Sequence, residues 1–401
     1  MFNRIRKTVR SFWPGAGSYG PFLPFPGITN ANGVQVSENT APRLAPVYRG
    51  LTLISSNIAL AGQKIKTSDG RFLEDHPVLD LLNDPFRFVS GHDWLRQLVW
   101  IYLQHGNAGA VLVRDGFGEV IEAIPLISSA LSMQVTDDGV QYTVAGDDRP
   151  YQPEDILHFR CPSPGSTWLW GASPFQLCAD ALTVLAQQQV ATKAIMANNA
   201  APGTVILKHE SSLSANAIQN LRDSWGRSVG NPQNSGKPLI LQEGMSADTL
   251  DPKVGPEYLD QQRWSVADVS RMLGVPSSYL GDTSDTRYTG VSEQAASFVS
   301  GCLAIHGGVI AAEITKKLLS PGEKFVFDYS NTKAGSPSEV TNTMVAAVNA
   351  GLVSKDEARA RMGYGPLPDG LGEMAEPQKA TEGVSDETGE EIPEPQLDAS
   401  E

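Results

Sequence analysis

The sequence predicts an α+β protein dominated by helices, with one antiparallel strand region in its first half. Three observations carry this. Apolar residues recur at steps of three and four along several segments of the 401-residue chain. Short alternating runs separated by Gly and Asp turns cluster between about residues 110 and 160. The pattern from Val291 to Leu319 is the longest helical run in the chain.

Residues 1–40 read as a flexible arm: Pro14, Pro21, Pro24 and Pro26, with the Gly and Asn residues around them, forbid a long helix. From Pro46, the residues Val47, Leu51, Ile54, Ile58 and Ala61 mark one helical face, closed at Gly62. A polar link leads to His76–Pro85. A helix over about His92–Gln104 follows, with Leu95, Leu98, Val99 and Tyr102 on its apolar face and Gly106 as its stop. AVLVRD and EVIEAIPL flank Gly116–Gly118 as a hairpin, LSMQVTDDGVQYTVAG repeats the device around Asp137, Asp138 and Gly139, and Asp155–Arg160 is a further strand. Ser173 as N-cap and Pro174 at the first helical position open a helix that runs to about Asn198. TVILKH, SANAIQNLRDSWGRS and KPLILQEG read as strand, helix and strand. A second long helix spans Glu257–Leu273 and ends at Gly274 and Pro276. In the Val291–Leu319 helix, Gly301 and the pair Gly307 and Gly308 predict a kink, because each glycine weakens a helix by roughly 1 kcal/mol. Lys324–Tyr329 is a short strand. Two capping boxes, Ser336 with Glu339 and Ser354 with Glu357, then announce helices closed by Gly351 and Gly363.

Hydrophobic content of 41% predicts that most of the chain folds. The net charge of −14 is uneven. Ten acids and one lysine lie between Glu373 and Glu401, so −9 sits on the last 29 residues and −5 on the rest. That tail is expected to be disordered, since it offers little apolar surface to offset its ordering entropy. A mildly acidic body disfavours a protein that grips nucleic acid through many phosphate contacts, but allows one past which DNA slides. No run of eighteen uninterrupted apolar residues occurs, so no membrane span is expected. The basic start MFNRIRKTVRSFWPG lacks an apolar core and a cleavage site, so no signal peptide is expected. Cys161, Cys178 and Cys302 are odd in number and widely spaced, which fits a reducing compartment rather than a disulfide framework.

Catalytic motifs are poorly represented. Gly230–Lys237 imitates a phosphate-binding loop, but five residues separate its glycines, and Pro238 stands where the magnesium-binding hydroxyl belongs. His158 and Cys161 form a lone H-x-x-C with no second pair to complete a zinc site. The six histidines show no ligand spacing, and Asp137–Asp138 and Asp147–Asp148 fall in turn signals. The expectation is no enzyme activity, no cofactor and no metal. Between the two long helices lies Gly281–Gly290, GDTSDTRYTG, with one cation, Arg287, one aromatic, Tyr288, and the hydroxyls of Thr283, Ser284, Thr286 and Thr289 beside Asp282 and Asp285. By itself it reads as a surface turn, able to touch phosphates transiently but not to hold DNA.

Six segments in order resemble the portal proteins of tailed double-stranded DNA phages. They are PVYRGLTLISSNIA; HPVLDLLNDP with GNAGAVLVRDGFGEVIEAIPL; DILHFR with GASPFQLCADAL; APGTVIL, LRDSWGRSVG and GKPLILQEG; VSRMLGVPSSYLGD with TRYTGVSEQAASF; and GLVSKDEARARMGYGPLPDG. Gly290 stands where the family often has Asn, and Ser292 is an insertion. The resemblance implies a portal-like subunit. After the arm, 41–172 would be the wing, 173–202 a stem helix, 203–252 the clip and 253–280 the second stem helix. The tunnel loop would be 281–290, the tunnel helix with a wing strand 291–335, the crown 336–370 and the acidic tail 371–401. Thr283, Ser284, Asp285, Thr286, Arg287, Tyr288 and Thr289 would line the narrowest part of a DNA channel. The implied partners are further copies in a ring, usually of twelve, double-stranded DNA in transit, the large-subunit terminase ATPase, the major capsid protein and head-completion or adaptor proteins, with no membrane. The implied location is the capsid vertex, after assembly in the host cytoplasm. A scaffold or adaptor that never contacts DNA is the alternative.

Overall fold

The computed structural model describes residues 18–19, 36–73, 75–136, 139–164, 168–197, 204–208, 214–229, 245–250, 256–282, 291–333, 337–368 and 372. The chain divides into two units, Met1–Lys333 and Ala334–Glu401.

In the first unit, α1 (Ala45–Leu60) buries Val47, Leu51, Ile54 and Ile58, the face its periodicity predicts. It packs on α3 (Gly91–His105), which buries Trp94, Leu95, Leu98, Val99, Tyr102 and Leu103. Ser90 caps α3 by accepting from the Asp93 N–H, and Gly106 closes it in the left-handed region at φ 75°. Between them lie α2 (Pro77–Asn83), whose His76 ring accepts from the Val78 N–H, and two strands, β2 (Gly62–Thr67) and β3 (Phe72–Leu73). β2 occupies the segment expected to be a polar link. It carries a single buried residue, Ile65, between the more exposed Lys64 and Lys66, and it is held by β3 on one side and β12 (Glu323–Asp328) on the other.

The hairpin of β4 (Asn107–Arg114) and β5 (Val120–Leu126) forms as predicted, with Asp115 accepting from the Phe117 and Glu119 N–H groups in its turn. β9 (Ile156–Arg160) pairs with the other edge of β4 to give the order β5-β4-β9. A second antiparallel sheet has the order β1-β6-β7-β8, from β1 (Ser18–Tyr19), β6 (Leu131–Thr136), β7 (Gly139–Val144) and β8 (Asp147–Tyr151). Asp147, read from the sequence as a turn residue, instead begins β8, where its carboxylate accepts from Arg149 and from the Tyr151 hydroxyl.

Ser173 accepts from the Phe175 N–H, as its N-cap pattern predicts, but the helix it opens breaks at Cys178 into α4 (Pro174–Leu177) and α5 (Ala179–Ala197). α5 lies along α7 (Pro256–Leu273), and the Ser265 hydroxyl donates to Gln188 Oε1 across the pair at 2.7 Å. Between these helices, β10 (Thr204–Lys208) pairs with β11 (Ser246–Leu250), with α6 (Ala215–Val229) in the intervening chain. The strand expected at 237–244 lies outside the described residues, as do the phosphate-loop imitation and the arm apart from 18–19 and 36–40.

From Val291 one helical run reaches Leu318: α8 (Val291–Phe298), a π turn (Val299–Leu303) and α9 (Ala304–Leu318). The interruption predicted at Gly301 is this π turn, whereas Gly307 and Gly308 sit inside unbroken α-helix. Residues 293–318 are long and apolar enough to cross a bilayer by length and composition alone. Their apolar face serves the core instead: Phe298, Val299, Cys302, Leu303, Ile310 and Ile314 are buried in the main cluster with α1 and α3. In the second unit, α10 (Pro337–Asn349) precedes α11 (Lys355–Arg361). Ser354 and Glu357 close the predicted capping box; Ser336 lies outside the described residues.

Candidate functional site

The described residues on either side of 283–290 are tied to one scaffold. Gly274 ends α7 at φ 68°, a conformation other residues avoid, and Val275 N–H reaches back to Ser270 C=O at 3.2 Å. The Ser270 hydroxyl donates to Val275 C=O at 2.6 Å, and Pro276 removes the donor that would continue the helix. A single 3₁₀ turn, Ser277–Leu280, follows, and Gly281 closes it at φ 103°. This turn is seated on α1. Gly50 has no side chain there because a Cβ would lie 2.4 Å from Leu273 Cδ1, and Arg49 Nε donates to Tyr279 C=O at 3.4 Å.

The start of the long helix is fastened to the same turn. Ser278 Oγ donates to Gln294 Oε1 at 2.8 Å, the Tyr279 ring meets Phe298 edge-on at 5.5 Å, and the Cys302 thiol donates to Leu273 C=O at 3.3 Å. Residues 282 and 291 are therefore fixed ends on one scaffold, with eight residues between them. The predicted channel residues Thr283, Ser284, Asp285, Thr286, Arg287, Tyr288 and Thr289 all fall in that interval, outside the described residues.

A buried polar cluster ties the other end of the helix to the β4–β9 sheet. Glu313 and Lys317, one turn apart on α9, are each about a tenth exposed and pair at 2.6 Å. Lys317 also donates to Ile156 C=O, and Glu313 Oε1 accepts the His158 N–H at 3.2 Å. The His158 ring accepts from the Tyr142 hydroxyl at Nδ1 and donates through Nε2 to Asn107 Oδ1, both at 3.1 Å. The Asn107 side chain in turn donates through Nδ2 to Gly171 C=O and accepts the Gly171 N–H at Oδ1, both at 2.8 Å. The sequence marked His158 only as a local hydrogen-bonding residue; its partners come from 16, 51 and 155 positions away. With both ring nitrogens engaged, and the Cys161 thiol donating to Tyr102 C=O, the H-x-x-C pair is accounted for by packing. Among the described residues no group of three or more His, Cys, Asp or Glu stands close enough to hold a metal.

Burial, reinforced by Arg160 and Lys317, holds His158 well below its ordinary value of 6.5, and burial lowers His306 as well. Below about pH 6.5 the unfolded chain therefore binds protons that the folded chain refuses, so stability is full above that pH and falls as pH drops. A single such group contributes a slope of at most about 1.4 kcal/mol per pH unit. Urea midpoints measured from about pH 7.5 down to about 5.5 should fall, and His158→Gln should flatten that slope.

The family model for phage portal protein matches residues 45–363. The chain is 26% identical to a probable portal protein of Streptomyces phage phiC31, over 88% of this chain and 82% of that one. It is 22% identical to the portal protein of Enterobacteria phage HK97, over 66% of this chain and 64% of the relative. Among solved structures it is similar to an HK97 family phage portal protein from Corynebacterium diphtheriae, with TM-score 0.58, 14% identity and coverage of 75% of this chain and 98% of that chain. It is also similar to a chain in the neck of a native gene transfer agent particle computed with C12 symmetry. That match has TM-score 0.58, 19% identity and coverage of 90% and 99%.

Proposed function

The chain belongs to the phage portal protein family, and on that footing we propose that it closes into a ring of twelve at one capsid vertex, with residues 283–289 lining the narrowest part of the channel. Portal proteins are the head–tail connectors through which DNA is packaged and ejected. The finer roles are our reading of what that membership implies. The clip at 203–252 docks the large-subunit terminase and later the head-completion proteins, the ring contacts the major capsid protein, and the crown at 336–370 faces the capsid interior. The chain performs no bond-making step, and it resides in the virion after assembly in the host cytoplasm.

One observation supports the ring above all: the apolar side chains of α5 are not confined to its core face. Leu182 and Leu185 are buried within the subunit, while Val184 and Val190, on either flank of that face, stay half-exposed. On the adjacent α7, Trp264 is 64% exposed. Apolar side chains left in the open on two adjacent helices suit contact with a further copy, and a head-to-tail contact that closes makes a ring. The mildly acidic body keeps a duplex moving by repelling its phosphates. Native mass spectrometry of the purified chain tests this reading. The wild-type protein should run as a closed oligomer, and the double variant Val190→Asp/Trp264→Glu as monomers with an unchanged circular dichroism spectrum. A wild-type protein that is monomeric at every concentration and salt tested would overturn it.

A further inference from the structure

We infer that the open edge of β12 is a docking site for an extended, acidic segment of a partner protein, taken up as an added strand beside α9. β12 is the outer strand of its sheet, whose order is β12-β2-β3. It pairs with β2 from Glu323↔Thr67 to Asp328↔Gly62 without a slip. In an antiparallel ladder, backbone groups alternate between the two edges of a strand. The Phe325 N–H donates away from β2, to Thr315 Oγ1 of α9 at 2.9 Å, so Phe325 and Phe327 turn their backbone groups outward. Among the described residues nothing accepts from the Phe327 N–H, and nothing donates to the Phe325 and Phe327 carbonyls. Those three groups are the main-chain contacts that an incoming strand uses.

The edge opens into a groove of about 580 Å³, whose wall on α9 includes Ala304, Gly308, Ala311 and Ala312. A Cβ on Gly307 would strike the Tyr329 hydroxyl at 2.0 Å, whereas one on Gly308 would meet nothing within 4 Å. Gly307 is therefore required by the fold, and Gly308 leaves room that the fold does not use.

Charge identifies the occupant. α9 and β12 carry three carboxylates, and all are engaged: Glu313 with Lys317 at 2.6 Å, Asp328 with Lys64 at 2.7 Å, and Glu323 with the Ser320 N–H at 3.1 Å. Lys316 and Lys324 line the groove, both exposed, and neither pairs with a carboxylate among the described residues. Lys324 stands opposite Lys66 of β2, so the sheet face turned from α9 is basic there. Lysine on an edge deters indiscriminate pairing, and an acid directly across from it favours pairing. Side chains alternate along a strand. The segment that fits carries acids on the face of Lys324 and small apolar residues on the face of Phe325 and Phe327.

The test uses full-length protein and a fluorescein-labelled peptide in which Val alternates with Glu. Anisotropy titration should show saturable binding, and hydrogen exchange over residues 325–329 should slow when the peptide is added. Gly308→Leu should weaken binding about tenfold, a difference of about 1.4 kcal/mol. It should not lower the thermal midpoint, since leucine favours a helix more than glycine does. Lys316→Glu with Lys324→Glu should reverse the preference toward a peptide in which Val alternates with Lys. Of two peptides N-methylated on every Val or on every Glu, the one whose methyl groups turn toward β12 should not bind. No saturable binding to the wild-type protein, or undiminished binding to Gly308→Leu, overturns the inference. So does a peptide that fails to bind while Gly308→Leu lowers the oligomer mass, which would give the groove to a second copy. Equal binding of both methylated peptides and of short duplex DNA would make the site a general anion surface, and overturns it as well.

Discussion

Replacing Lys317 with methionine should cost roughly 3–5 kcal/mol of folding stability, the largest single-residue effect we expect in the chain. Lys317 and Glu313 are both nearly buried, so removing the ammonium leaves a carboxylate with no counter-ion in a low-dielectric interior. The flexible methionine fills the space of the lysine stem, which excludes a cavity as the cause. The loss should be repaired from the other side. Glu313→Gln in the Lys317→Met background keeps an oxygen for the His158 N–H and removes the stranded charge, so most of the stability should return. Urea midpoints of the single and double variants measure this. A double variant no better than the single one would show that packing of the lysine stem, rather than uncompensated charge, is what matters. Because the pair fastens α9 to β9, the single variant should also loosen the C-terminal end of the long helix before the rest of the unit.

The second large effect is functional. Exchanging residues 283–289 for a Gly/Ser segment of equal length should leave oligomers and thermal stability intact, because both ends of the interval are pinned by contacts outside it. These are the 3₁₀ turn on α1 at one end and the Gln294 and Phe298 contacts at the other. Particles assembled with this variant should package or retain DNA poorly, with a drop of roughly tenfold, the factor that about 1.4 kcal/mol of lost contact in the limiting step produces. Restoring Arg287 alone should recover part of that loss if transient phosphate contact is its role, and the recovered part should fade with added salt. Unchanged genome content in the variant particles would remove this loop from the channel.

Local chemistry made much of this fold legible. The caps at Ser173 and Ser354, the stops at Gly106 and Gly274 and the hairpin at Asp115 each depend on residues within a few positions, and each forms as read. β2 was not legible, because one apolar residue between lysines makes no alternating pattern; its strand character comes from two flanking strands, one of them about 260 residues away. The π turn was visible as glycine weakness but not as π geometry. The His158 cluster is tertiary throughout: Asn107, Tyr142, Glu313 and Gly171 converge on it from separate elements. Of the candidate site, the frame was legible and is present in the fold. The channel role of 283–289 stands on the family resemblance.

A cryo-electron microscopy map of the purified, oligomeric chain tests the central claim most directly. The account predicts a closed ring with an axial channel, and residues 283–289 of every subunit at its narrowest point. A ring that carries those residues on its outer surface, or an assembly with no axial channel, would contradict it.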